Sequence, residues 1–145
     1  MAIQQLSVFA ENKPGAIIDI TGALAQKDID IRALSLADTR DYGILRLIVS
    51  DTETAKEALV EKGYLVSITP VVGVSISDNA GALSKALAAL DKAGINIEYM
   101  YAFIGRGAED AYVILRTTDE NAAESVLLAD GEKLLDEQTV KSCLR

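Results

Sequence analysis

At 145 residues and a formal net charge of −8, the chain lacks the basic surface that a general nucleic-acid binder needs to neutralise phosphates. Half of its residues are hydrophobic and a quarter charged, which describes a globular chain, and no apolar run approaches the ~20 residues that span a bilayer. There is no histidine, which removes the commonest general base and the commonest neutral metal ligand.

The first residues, Met1-Ala2-Ile3-Gln4-Gln5, lack the charged start and apolar core of a signal peptide. The single Cys143 cannot form an internal disulfide, so a soluble cytoplasmic protein is expected. Residues 3–10 alternate, with Leu6, Val8 and Ala10 on one face and Gln5, Ser7 and Phe9 on the other. That pattern predicts a strand with one face turned to a core. Next comes Glu11-Asn12-Lys13-Pro14-Gly15-Ala16-Ile17, a tight polar turn opening a helix. Asn12 is a candidate side-chain cap, and Pro14 suits a first helical turn because its missing N–H removes no intrahelical bond. Gly15 lets a neighbouring group come close to the backbone. The free N–H groups of such a helix start attract anions, including carboxylates.

Residues 15–27 carry Ile17, Ile20 and Leu24 at helical spacing with Ala16 and Ala23 beside them. A strand is predicted over 29–36, a turn over 38–41 and a well-covered strand over 42–49. Asp51 or Thr52 can cap a helix through Glu61 that turns Ala55, Ala58 and Leu59 inward, and Gly63 is placed to end it. A short strand over 64–69 then leads to Pro70, the expected hand-over to a second unit.

The second unit repeats the first. Subtracting 15 from 81 gives an offset of 66, which pairs Val8 with Val74, Ala23 with Ala89, and Ile29-Asp30-Ile31 with Ile95-Asn96-Ile97. Ser77-Asp78-Asn79-Ala80-Gly81-Ala82-Leu83 echoes the first turn, with Asp78 as the candidate cap. Tyr42-Gly43-Ile44-Leu45-Arg46 returns as Tyr112-Val113-Ile114-Leu115-Arg116 at an offset of 112 − 42 = 70. The four added residues are placed at a hairpin tip over 105–109. Strands are predicted over 71–76, 95–104, 111–117 and around 133–135. Helices are predicted over 81–93, with Leu83, Leu87 and Leu90 on one stripe, and through Ala129 with Asp119 as its cap. Val140 and Leu144 permit a closing helical turn or two. Each unit, 1–69 and 70–145, thus reads β-α-β-β-α-β. This is an α+β, ferredoxin-like arrangement, with an antiparallel sheet and its helices on one side.

These residues resemble the ACT domains, small ferredoxin-like modules that bind amino acids and related metabolites. The resemblance rests on residues 12–17 after a strand, on Asp28-Ile29-Asp30-Ile31 opening the second strand, and on their second copies, Gly94-Ile95-Asn96-Ile97 especially. It covers nearly the whole chain, twice, with no catalytic domain attached. It implies a non-catalytic regulator whose partner is a free amino acid or similar small carboxylate, with a metabolic enzyme as a further partner and no cofactor. The carboxylate would meet the free N–H groups of the turn formed by Asn12, Lys13, Pro14, Gly15, Ala16 and Ile17, to which Pro14 adds shape and no donor. The ammonium would meet carbonyls near 29–31, or the Asp30 carboxylate, with Ile31 alongside. In this family the helix-start turn of one module faces the second strand of another. Residues 12–17 would then face 95–99, with Asn96, Ile97 and Tyr99 as contacts, and Asp78, Asn79, Ala80, Gly81, Ala82 and Leu83 would face 29–33. Asp78 for Asn12 and Ala80 for Pro14 are departures, and a negative charge at 78 disfavours a ligand carboxylate. The alternative is a structural interaction module without a ligand; the apolar composition favours a homodimer under either reading.

Overall fold

The structure, a computed structural model, describes residues 2–38, 40–104 and 110–143, with the side chains of 38, 104 and 141–143 excepted. The expected hairpin tip over 105–109, Leu144 and the thiol of Cys143 lie outside the described residues. Strand β1 (Ile3–Glu11) leads through the first glycine turn to α1 (Ala16–Gln26), β2 (Ile31–Asp38), β3 (Tyr42–Val49), α2 (Thr52–Glu61) and β4 (Leu65–Ser77). The series then repeats as α3 (Ala82–Lys92), β5 (Ile97–Ile104), β6 (Asp110–Thr117), α4 (Glu120–Ala129) and β7 (Lys133–Leu135), and ends with α5 (Glu137–Cys143).

The chain divides into two units, Gln4–Thr69 and a second made of Pro70–Arg145 with the first three residues. In the first, the strand order is β2-β3-β1-β4, and β3 pairs antiparallel with both β1 and β2. Leu6, Val8 and Ala10 of β1 and Leu45, Leu47 and Val49 of β3 meet Ile20, Ala23 and Leu24 of α1 and Ala55 and Leu59 of α2 in one core. Both helices therefore cover the same sheet face. In the second unit the order is β7-β4-β6-β5, all antiparallel. Val72, Val74, Ile76, Val113 and Leu115 pack there with Ala86, Leu90, Ala123 and Leu127. Each fully buried Leu or Ile in these cores contributes roughly 1.5–3 kcal/mol relative to exposure.

Helix ends explain where the sequence-based boundaries moved. Asp28, at φ 56°, closes α1. The N–H of Asp28 donates to the Ala25 carbonyl at 3.0 Å and that of Ile29 to the Leu24 carbonyl at 3.0 Å. This is a Schellman closure, which draws an apolar residue back onto the helix. Ile29 is buried as part of that closure, so β2 starts at Ile31 instead of 29. Gly94 and Ile95 do the same for α3, moving β5 to Ile97. Gly63 with Tyr64 and Gly131 with Glu132 repeat the closure on α2 and α4. At the other ends, Asp51 accepts from the Thr54 N–H and Asp119 from the Ala122 N–H, each at 3.1 Å, the N-caps read from the sequence.

Two expectations are corrected. Pro70 does not break the chain into two strands; β4 runs through it. Its fixed φ suits extended backbone, and the pairing of β4 with β6 and β7 starts only at Val72 and Gly73, so those ladders ask for no N–H at 70. The Arg116 guanidinium donates to the Pro70 carbonyl at 2.9 Å. On α3, Leu83 stays 37% exposed while Ala86 is buried. The inward stripe therefore runs through Ala86 and Leu90 with Leu87 packed against the core as expected, and Leu83 is the one residue of the expected stripe that stays out.

An ion pair ties each first helix to the corner after the second. In the first unit Lys62 Nζ lies 2.8 Å from Asp19 Oδ1, and the Tyr64 hydroxyl also donates to Asp19. In the second, Lys85 occupies the position of Asp19 and pairs with Asp130 at 3.2 Å and Glu132 at 3.6 Å. The geometry is repeated with the charges reversed.

Candidate ligand site

After β1, the chain turns sharply. The Asn12 N–H donates to the Asp41 carbonyl at 2.9 Å, that of Lys13 to Glu11 at 2.9 Å and that of Ala16 to Lys13 at 3.3 Å. Gly15 is the N-cap of α1 at φ 88° and ψ −12°, and no side chain caps the helix. Asn12 is therefore not the cap; its amide reaches toward the Arg40 carbonyl at 3.5 Å. Pro14 precedes the cap in the turn and is not part of the first helical turn. Asp78 is not a cap either: Gly81, at φ 88° and ψ −8°, holds that position for α3 without a side-chain bond. The first N–H of α1 to find a carbonyl four residues back is that of Asp19, which donates to Gly15 at 3.0 Å. The N–H groups of Gly15, Ile17 and Ile18 bond to no backbone carbonyl among the described residues. A helix start of this kind carries partial positive charge.

Two clefts adjoin the turn and a third shares walls with the larger of them. Asn12, Lys13, Ile17 and Glu11 line a small one with Ala10, Leu36 and Gly43. A larger one, of about 390 Å³, is bounded by Phe9, Glu11, Lys13, Ala16, Tyr42, Gly63, Tyr64 and Leu65. A third, of about 320 Å³, lies among Ser7, Phe9, Ile44, Leu65, Val66 and Ser67. Phe9 and Tyr42 stack across their strands with ring centroids 4.9 Å apart. Behind the turn, the Lys62 ammonium, then the Tyr64 hydroxyl, hold the Asp19 carboxyl below its ordinary range. That same carboxylate pushes the Tyr64 hydroxyl up to about 12.

Within one unit the structure gathers residues 12–17 at one end of the sheet and leaves Asp30 and Ile31 at the other. Glu11 pairs with Tyr42 and Ile31 with Val49, seven residues apart along β3, or roughly 23 Å. Asp78, Asn79, Ala80, Gly81, Ala82 and Leu83 likewise follow the pair Ser77 and Asp110, while Ile97, beside Asn96 and Tyr99, pairs with Thr117 at the opposite end. Asp30 is already engaged: its carboxylate lies 3.3 Å from Arg32, and its carbonyl accepts from the Ser50 N–H at 2.9 Å. The Asn96 carbonyl accepts from Thr118 in the same way, at 3.1 Å. Sequence reasoning missed Phe9, Tyr42, Tyr64 and Leu65 as cleft walls, because their positions share no period or motif. Among the described residues no group of three or more Cys, Asp or Glu is placed to hold a metal ion.

Two β-α-β-β-α-β units, each opening its first helix with a left-handed glycine, define a tandem of ferredoxin-like modules. The family model for an ACT domain pair matches residues 1–143, and the chain belongs to that family. It is similar to protein BT0572 from Bacteroides thetaiotaomicron at 39% identity and a TM-score of 0.91, over 98% of this chain and 97% of that one. The ligand-free regulatory subunit of aspartate kinase from Thermus thermophilus shares the fold at 21% identity and TM-score 0.67, over 89% and 91% of the two chains. Its counterpart from Thermus flavus does so at 22% and 0.65, over 90% and 92%. No curated protein matches the chain.

Proposed function

We propose that this protein is a non-catalytic, amino-acid-binding regulator, with its ligand held at the turn of residues 12–17. The observation that carries the reading is the helix start itself. Three N–H groups, those of Gly15, Ile17 and Ile18, are left without backbone acceptors beside a cleft of small-ligand size. Family membership supports it, as do the similar folds of subunits whose role is regulation of aspartate kinase. The equivalent turn, residues 78–83, is a second candidate whose Asp78 works against an anionic ligand group. Because Asp30 and Ile31 lie at the far end of their own sheet, they do not complete the shell of the turn in their own unit. A ligand at the turn that is also touched by a partner biases how the two associate, which is how binding becomes regulation. A cytoplasmic homodimer acting on a metabolic enzyme completes the proposal.

Thermal-shift measurements with each of the common amino acids test it, since a ligand that binds only the folded state raises Tm. A rise with one amino acid, recovered chemically intact, supports the reading. No rise with any of them leaves the protein an interaction module, and an altered ligand makes it an enzyme.

A further inference from the structure

The clefts beside the turn carry more chemistry than the helix start alone, and we infer that the first unit selects an α-amino acid with an aliphatic or aromatic side chain, one per chain. This inference rests on the amino-acid-binding reading above. Glu11 and Lys13 stand together on the rim, their charged atoms 3.3 Å apart and both side chains well exposed. Their opposite charges match the two ends of an amino acid zwitterion: Lys13 for the carboxylate, Glu11 for the ammonium. An ion pair this exposed holds itself together weakly, so exchanging it for a ligand's two charges costs little. Both residues line the 390 Å³ cleft, and Phe9 and Leu65 are walls shared by that cleft and the apolar one beside it. A zwitterion seated on the rim therefore points its side chain at Phe9, Ile44, Leu65 and Val66.

Exposure gives the second argument. Leu65 is 74% exposed, Tyr42 45% and Phe9 43%, a contiguous apolar patch beside a charged rim. Patches of that kind on small proteins mark binding sites. The second unit keeps Tyr112 for Tyr42 and Ile114 for Ile44 but has lost the charge pair and the walls at Phe9 and Leu65. Ser75, Ser77 and Asn79 stand at the offset of 66 from Phe9, Glu11 and Lys13. Matched on Gly63 and Gly131, Lys133 stands where Leu65 does. No apolar wall and no charge pair remain at these positions, so the second unit does not repeat the site.

Isothermal titration calorimetry of the full chain tests the inference, with L-leucine, L-phenylalanine, L-aspartate and L-lysine as ligands in parallel. An apolar amino acid is expected to bind at least tenfold tighter than either charged one, with one ligand per chain. Leu65→Ser, at an exposed position that folding does not depend on, is expected to weaken it at least tenfold. 4-Methylpentanoate, which keeps the carboxylate and branched chain of leucine without its amine, is expected to bind more weakly than L-leucine, and Glu11→Gln to narrow that gap. Preference for L-aspartate or L-lysine, two ligands per chain, or indifference to Leu65→Ser overturns this inference and leaves the amino-acid-binding reading standing. Absence of binding by all four, together with no thermal shift from any amino acid, overturns both.

Discussion

Gly15 and Gly81 adopt the same backbone, φ 88° with ψ of −12° and −8°, at the same place in the two units. A side chain added at either would meet nothing within 4 Å, so the cost of substitution is conformational and not steric. Gly15→Ala is expected to destabilise the protein by about 1–2 kcal/mol, the penalty of a left-handed alanine. Gly22, inside α1 and equally free of neighbours, gives the opposite sign. Gly22→Ala should stabilise by about 0.5–1 kcal/mol. Urea unfolding of the two variants checks both.

Asp28 closes α1 in the left-handed conformation that Gly94 supplies for α3. Asp28→Gly is expected to gain about 0.5–1 kcal/mol, the relieved strain less the extra freedom of glycine in the unfolded chain. The midpoint of denaturant unfolding should rise with no change in m-value.

The Asp19 and Tyr64 pair makes a pH prediction. Tyr64 is raised to about 12 by its bond to Asp19, so that contribution is complete below pH ~10 and is lost as pH rises through 12. Asp19 is lowered, chiefly by Lys62; its contribution is complete above its ordinary value of 3.8 and disappears as pH falls through the folded value. Ultraviolet titration should find one tyrosine of five ionising near pH 12. Asp19→Asn should return it toward ~10; an unchanged titration would show that the bond is absent in solution.

Gly73 faces a different constraint. A Cβ there would lie 2.5 Å from Ile3 Cδ1 and 3.1 Å from Leu135 Cβ, within a unit where Ile3 is fully buried. Gly73→Ala is expected to cost about 1–3 kcal/mol by overpacking. Ile3→Val in the same chain should recover part of that loss, which a double-mutant cycle measures.

Repetition made most of the fold readable. The two glycine turns, the offset of 66 and the apolar periods located each helix and strand to within a few residues, and the caps Asp51 and Asp119 came directly from local chemistry. What escaped the reading was tertiary. Pro70 looks like a stop until the pairings of β4 show that its N–H is not needed, and Ile29 looks like a strand residue until it folds back onto α1. The turn of residues 12–17 was legible because its motif is contiguous. Phe9, Tyr42 and Leu65 were not, since only the pairing of β1 with β3 and the return of β4 bring three distant positions to one cleft.

The reversed charges of the two corner ties bear on how a duplicated chain avoids confusing its halves. Suppose α1 and α3 were exchanged between the units during folding, or between two chains. Asp19 would then arrive beside Asp130 and Glu132, and Lys85 beside Lys62, so both corners would hold like charges in place of the attractive pairs. Modules that repeat one fold on one chain are prone to such swapped assemblies. Here the sign of a single residue on each first helix marks it as belonging to its own half.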